Sequence, residues 1–342
     1  MRYTLVLPAL LALSACSDSP AELLAKAEKA YAVKDFNVAR LHATQALRED
    51  PGNRKLLLIQ ARSLLELRDG DAAGAAIAKL AQGRKPTGDV ALLAGEAALL
   101  RNAPDALLEA VADERGIKAD QLRAFAYLQK QDIAAARRHI TAAVAAGGTG
   151  RVLADAAQIA MIAGDLPAAA ALQARAEQTA PKEFATLLVG GEIAARKGDL
   201  IRALSYFDRV DRLFPGNVAV MVARSTALAD LGRFTELATA LAPLEQAAPN
   251  DGDVVLLRAR LAQSRKDWTG IRAIVQPREL DLAGDDPVRV IYAEALLRLG
   301  QAHQAIAQLQ PVVRSAPDNA RAAALLAEAQ RVAGGSAGGG LF

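Results

Sequence analysis

The residue types that do chemistry are sparse in this 342-residue chain, and their spacing limits what they can do. Cys16 is the only cysteine, so the chain can form neither an internal disulfide nor a cysteine metal cluster. The histidines His42, His139 and His303 lie far apart in sequence. None has a second histidine or a carboxylate at metal-ligand spacing. Gly147-Gly148-Thr149-Gly150 is the one candidate for a phosphate cradle; it lacks the lysine such a loop needs and falls where a turn between helices is expected. No serine, histidine and acid occur in a recognisable nucleophile motif. Trp268, the only tryptophan, follows Lys266-Asp267 where Phe36, Leu166, Leu200 and Phe234 follow equivalent turns, which makes it a packing residue. These residues predict no enzyme, no cofactor and no metal.

Cys16 is informative by position. Arg2 gives a positive start, Leu5 to Leu13 are apolar apart from Pro8, and small residues follow. The stretch is an export signal, too short for a transmembrane helix, which needs about 20 apolar residues. Leu13-Ser14-Ala15-Cys16 resembles the lipobox of bacterial lipoproteins. The resemblance implies cleavage after a signal peptide of residues 1–15 and lipidation of Cys16, with residues 16–19 as lipidated N-terminus and short linker. Several acyl chains together anchor stably, where a single one binds only reversibly. In that family an aspartate after the cysteine commonly retains the protein in the inner membrane. Ser17 stands there, with Asp18 one place later, so the expected location is the outer membrane, facing the periplasm.

The elements that carry these residues follow from composition and period. Only 4% of the chain is aromatic and alanine is abundant, which favours many thin helix contacts over one thick core. At 52% hydrophobic and 23% charged, the chain is not globally disordered. The net charge of +3 is small, and Lys and Arg alternate with Asp and Glu, so no basic stripe for nucleic acid exists. Gly164-Asp165, Gly198-Asp199, Gly232-Arg233, Lys266-Asp267 and Gly300-Gln301 recur every 34 residues, and Lys34-Asp35, Gly70-Asp71 and Gln131-Asp132 extend the series upstream. Each pair is read as the end of one helix and the cap of the next. Pro51, Pro181, Pro215, Pro249 and Pro317 mark the other junction. Between these marks Ala27, Ala61, Gly95, Ala124, Ala157, Gly191, Ser225, Ala259 and Ala293 share one place on the first helices. Ala39, Ala73, Leu107, Ala136, Ala169, Ala203, Leu237, Ile271 and Ala305 share one on the second.

These positions resemble the tetratricopeptide repeat, with its small residue on the first helix, alanine on the second and closing proline. The resemblance covers residues 20–319 and is best over 20–53 and 184–217. It implies an all-α fold, a right-handed α-solenoid of about nine helix-turn-helix repeats, closed by a C-terminal capping helix over 320–333. Residues 334–342, nearly all small, are expected to be a disordered tail. Two departures stand out: Gly95 and Ala124 are five residues too close, suggesting a hinge or local break over 87–118, and Pro277 to Pro287 cannot be one regular second helix.

The resemblance also places a binding surface on the first helices. In this register that surface carries Tyr31, Leu58, Arg62, Leu65, Leu92, Glu96, Phe125 and Leu128 as candidate partner-binding residues, with Leu188, Glu192, Arg196, Arg260, Glu294 and Arg298 further along. The competing reading puts the leucines in the core. Glu192 with Arg196 and Glu294 with Arg298 also fit i,i+4 helix pairs. The expected function is a membrane-anchored scaffold or adaptor that binds protein partners in an envelope assembly or export machine. Ala39 to Pro51 resembles the repeat lipoproteins of exopolysaccharide export and PEP-CTERM sorting systems. Lipoproteins of β-barrel, pilus and peptidoglycan machinery share the architecture, and a glycan-binding accessory or envelope enzyme is the competing class. Glycan platforms need exposed aromatics, and five tyrosines with one tryptophan supply few.

Overall fold

A computed structural model describes residues 18–281 and 286–337. Cys16, the residues 1–15 expected to be a signal peptide and the residues beyond 337 lie outside the described residues. The chain falls into two units, Met1–Gly164 and Asp165–Phe342. In the first, α1 (Pro20–Ala32), α3 (Arg54–Glu66), α5 (Asp89–Leu100), α7 (Ile117–Gln129) and α9 (Arg151–Ile162) alternate with α2 (Phe36–Ala46), α4 (Gly70–Ala81), α6 (Pro104–Ala110) and α8 (Ile133–Ala145). The second opens on α10 (Leu166–Thr179) and continues through α11 (Phe184–Arg196), α12 (Leu200–Leu213), α13 (Val218–Asp230), α14 (Phe234–Ala247), α15 (Gly252–Ser264), α16 (Trp268–Val275), α17 (Asp286–Arg298), α18 (Ala302–Ser315) and α19 (Ala320–Ala337). The described residues contain no strand. This is the all-α, tetratricopeptide-type array that the period predicts.

Local chemistry sets the helix ends. Asp35, Asp69, Asp132, Asp165, Asp199 and Asp267 each accept a backbone N–H with the side chain at the start of a second helix. Immediately before each, the chain turns through a left-handed residue, for instance Gly198 at φ 77°. One pair differs from the sequence reading. Arg68, at φ 64°, is the left-handed residue and Asp69 the cap, while Gly70 opens α4. Gly70 is needed for contact instead of for the turn, because a Cβ there would sit 2.8 Å from Leu100 Cβ and 2.9 Å from the Ala97 carbonyl.

The two small-residue positions form the spine of each unit. Every alanine of both series is fully buried, as are Leu107, Leu237, Ile271 and Ser225. Gly191 is pressed against Phe207 and Gly95 against Val111. Trp268 is half-buried and packs on the core shared by α15 to α19. The irregular stretch at 87–118 keeps its packing and is not a break: α6 has only seven residues, which accounts for the shortened spacing. Ala98, Leu107, Val111, Leu122 and Ala126 form one core across α5, α6 and α7. The Arg123 guanidinium donates to the carbonyls of Val111 and Glu114, holding the end of the short helix. At the second irregularity α16 stops at Val275, just before Pro277, and a 3-10 turn follows over Gln276–Asp281. Residues 147–150 form the turn between α8 and α9. The last helix runs four residues past 333, to Ala337, since a glycine inside a helix costs only about 1 kcal/mol relative to alanine.

Candidate protein-binding face

In the first unit α1, α3, α5 and α7 touch in succession, so residues at equivalent places on them share a face. Leu58, Arg62 and Leu65 are three and four apart on α3, Leu92 and Glu96 on α5, and Phe125 and Leu128 on α7. All the apolar members are half-buried, neither sealed in the core nor fully exposed. Leu58 and Leu65 rest one side on the core around Leu57, Ala61 and Ile77. Leu92 rests on the core around Leu107 and Leu122. Tyr31 packs edge-on against Phe36, ring centres 5.4 Å apart.

The polar groups of this face differ in how far they are satisfied. Glu96 pairs with Lys118 at 2.5 Å, tying α5 to α7. Arg62 is exposed and makes no ion pair among the described residues. Burial pushes the Tyr31 phenol above its ordinary value; Glu66 and Glu96 add to this and Arg62 opposes it, so three charges act on the phenol. The phenol is therefore a neutral hydrogen-bonding tip on an apolar ring. Two half-open leucines of α3, a tyrosine and an unengaged guanidinium make the kind of surface on which protein interfaces find anchors.

The second unit treats the same helix places differently. Glu294 accepts from Gln263 at 2.6 Å and from Arg321 at 2.7 Å, and Arg298 pairs with Glu328 at 2.7 Å. The i,i+4 pairing of Glu294 with Arg298 is replaced by bridges to neighbouring first helices, because those partners converge as the helices stack. Asp230 and Arg260 form another such bridge at 2.7 Å. Beside these bridges lies a cavity of about 510 Å³, lined by Leu256, Arg260, Val290, Ile291 and Arg321. Burial raises the carboxyl of Glu192, which Arg196 only partly offsets.

Sequence reasoning missed two polar clusters. Asp155, almost wholly buried, accepts from Gln121 and Arg151 and locks α7 to α9; its burial pushes its carboxyl up. Glu177 on α10 accepts from Tyr206 at 2.6 Å, Arg209 at 3.0 Å and Gln173 at 3.2 Å. Burial alone would raise this carboxyl, but those three donors outweigh it and hold it below its ordinary value. Gln121 lies 34 residues from Asp155, and Tyr206 and Arg209 lie 29 and 32 from Glu177, so a search for polar pairs about one repeat apart could have found these links, while Arg151 and Gln173 lie four residues from their carboxylates. Nothing in the described residues groups three metal-ligating side chains. No helix among the described residues is long and apolar enough to cross a membrane.

The tetratricopeptide repeat family model matches residues 24–89 and 293–337, about a third of the chain. No curated protein matches it. Among solved structures, the APC/C hetero-tetramer Cut9-Hcn1 is similar with a TM-score of 0.57 at 17% identity, covering 90% of this chain and 55% of that one. The chain thus spans about half the length of that relative. PilF of Pseudomonas aeruginosa is similar with a TM-score of 0.51 at 18% identity, covering 61% of this chain and 96% of that one. At such identities the likeness is one of fold.

Proposed function

We propose that the chain is a membrane-anchored scaffold or adaptor that holds a protein partner in an envelope assembly or export machine, at the periplasmic side of the outer membrane. The lipobox-like Leu13-Ser14-Ala15-Cys16 supports the anchor, and Ser17 in place of aspartate supports the outer membrane. A helix-pair array of the tetratricopeptide type supports a protein-binding role. The observation that carries the reading is the contrast between α1 and α3 and those first helices whose charges bridge to a neighbour, as Glu96 does to Lys118. On the first helices of the second unit, Arg260, Glu294 and Arg298 are consumed by bridges between neighbours. On those of the first unit, Tyr31, Leu58, Arg62 and Leu65 remain half-open or exposed, and Arg62 makes no ion pair among the described residues. The contrast supports a partner site on α1, α3, α5 and α7, with Leu92, Glu96, Phe125 and Leu128 continuing it.

The test is cross-linking in the native host followed by mass spectrometry, on the wild type and on the pair Tyr31→Ala with Arg62→Glu. A reproducible protein partner, lost in the pair at unchanged helicity, supports the reading. Retention of glycan without any protein partner would replace it with the accessory class. Gene neighbourhood then discriminates exopolysaccharide export from the other envelope machines. Palmitate labelling tests the anchor separately: Cys16→Ser should abolish incorporation, and equal incorporation by the variant would refute lipidation at that residue.

A further inference from the structure

The cavity between α15, α17 and α19 has two kinds of wall. Leu256, Val290 and Ile291 make one side apolar, and the half-buried Phe234 ring, at the start of α14, stands at its edge. The rest is polar, supplied by Arg260, Gln263, Asp286, Asn319 and Arg321. At about 510 Å³ the space falls within the roughly 300–1,000 Å³ of small-ligand pockets. Its charges are balanced from within. Arg260 is bridged to Asp230 and Arg321 to Glu294, each at 2.7 Å. Asp286 lies in the first turn of α17, where the positive end of the helix offsets a carboxylate. A net charge on a ligand would find no counterpart here. Hydrogen-bonding capacity, by contrast, is left over in both senses. A guanidinium carries several N–H donors, more than one carboxylate takes up. Gln263 gives an amide N–H to Glu294, while its side-chain carbonyl makes no hydrogen bond among the described residues. Asn319 accepts from the Ala322 N–H, and its side-chain N–H groups make none among them.

Such a space fits an uncharged ligand with an apolar face and an edge that both donates and accepts. A sugar ring has that form: its C–H faces are apolar, and each hydroxyl donates one hydrogen bond and accepts others. A peptide main chain also donates and accepts, but an extended segment needs a groove that stays open from helix to helix. Here the Asp230–Arg260 bridge crosses from α13 to α15 and the Arg298–Glu328 bridge from α17 to α19, so the space is bounded. We propose that this cavity binds a short neutral oligosaccharide, with one ring against Leu256, Val290 and Ile291 and its hydroxyls on Gln263, Asn319 and the two guanidinium groups. The site lies in the second unit and is additional to the protein-binding face of the first, so either can fail without the other.

The test is calorimetric titration of the full chain with maltotetraose, cellotetraose and tetra-N-acetylchitotetraose, and with tetragalacturonate as the charged comparison. At least one neutral tetrasaccharide should bind saturably, with an affinity that is the same at low and high salt. Gln263→Leu should weaken it about tenfold, and the same substitution at Gln246, exposed on α14, should leave it unchanged. Asn319→Asp keeps the oxygen that caps α19 and replaces the amide donor, so it should weaken binding too while α19 stays folded. No saturable binding of any neutral tetrasaccharide, or equal affinities for Gln263→Leu and Gln246→Leu, overturns the site. Tighter binding of tetragalacturonate than of all three neutral sugars overturns the reading of the ligand as uncharged. A photoreactive side chain at Ser264, exposed on the cavity rim, lets a protein segment compete in the native host. Capture of such a segment there, undiminished by the tetrasaccharide that binds, gives the cavity to a peptide and overturns the proposal.

Discussion

Gly191→Ala and Gly74→Ala are the same substitution in the same kind of element and should have different outcomes. A Cβ at Gly191 would lie 2.4 Å from Phe207 Cε1, 2.8 Å from Cδ1 and 2.9 Å from Cζ. Carbon atoms sit comfortably at about 3.5 Å or more, so the ring must retreat by about 1 Å. Phe207 is 2% exposed and has Ala194, Ala203 and Ala227 around it, so there is nowhere to retreat without moving α11 or α12. Overpacking of this kind costs about 1–3 kcal/mol. A Cβ at Gly74 meets only the Arg101 guanidinium, at 3.8 Å, the end of a flexible side chain. Both changes gain about 1 kcal/mol of helix propensity. That gain cancels on subtraction, so the two variants should differ by about 1–3 kcal/mol, with Gly74→Ala more stable than wild type by up to about 1. In a repeat array cooperativity is incomplete, so local hydrogen exchange in α11 and α12, and in α3 and α4, is the appropriate readout beside thermal unfolding. Phe207→Leu should partly relieve Gly191→Ala, giving a coupling of about 0.5 kcal/mol or more in a double-mutant cycle. Equal shifts for the two alanine variants, or no coupling to Phe207, would refute the packing register on which the fold is read.

Three further outcomes follow from the same geometry. Arg68→Gly should stabilise the turn between α3 and α4 by about 0.5–1 kcal/mol, because an L residue is held there at φ 64°, and slower exchange in α4 would show it. Arg123→Met should leave the carbonyls of Val111 and Glu114 without their charged donor, costing about 1–3 kcal/mol, seen as faster exchange in α6 and α7 before the rest of the unit. Asp155 has a folded-state value raised by burial, so the folded chain binds its proton more tightly than the unfolded chain does. Its contribution to stability therefore falls as pH rises from about 3.8 through the raised value; Asp155→Asn should flatten that fall, and urea titrations across the window that give parallel curves for the two proteins would exclude it.

Much of this protein was legible in one dimension. Stacked helix pairs impose a fixed spacing on small residues and on helix ends, so the buried series from Ala27 to Ala293 and from Ala39 to Ala305 could be picked out by period alone. The prolines, and the aspartates that cap second helices, act within a few residues of themselves, so they too were readable. Gly70-Asp71 misled because glycine and aspartate have the same local preferences two residues out of place. Only the end of α3 decides that Arg68 turns and Asp69 caps, and only the approach of α5 explains why Gly70 must lack a side chain. The seven-residue α6 looked like a break for a related reason: what holds it, Arg123, comes from the following helix. The candidate face divides in the same way. The period named Tyr31, Leu58, Arg62 and Leu65, but whether a charge at such a place is used up depends on partners one repeat away. Glu294 finds Arg321 and Arg298 finds Glu328, while Arg62 finds no ion-pair partner among the described residues. Helix ends and small-residue spacing depend on neighbours in the chain, so sequence fixes them; exposure and ion pairing depend on neighbours in space, so packing does.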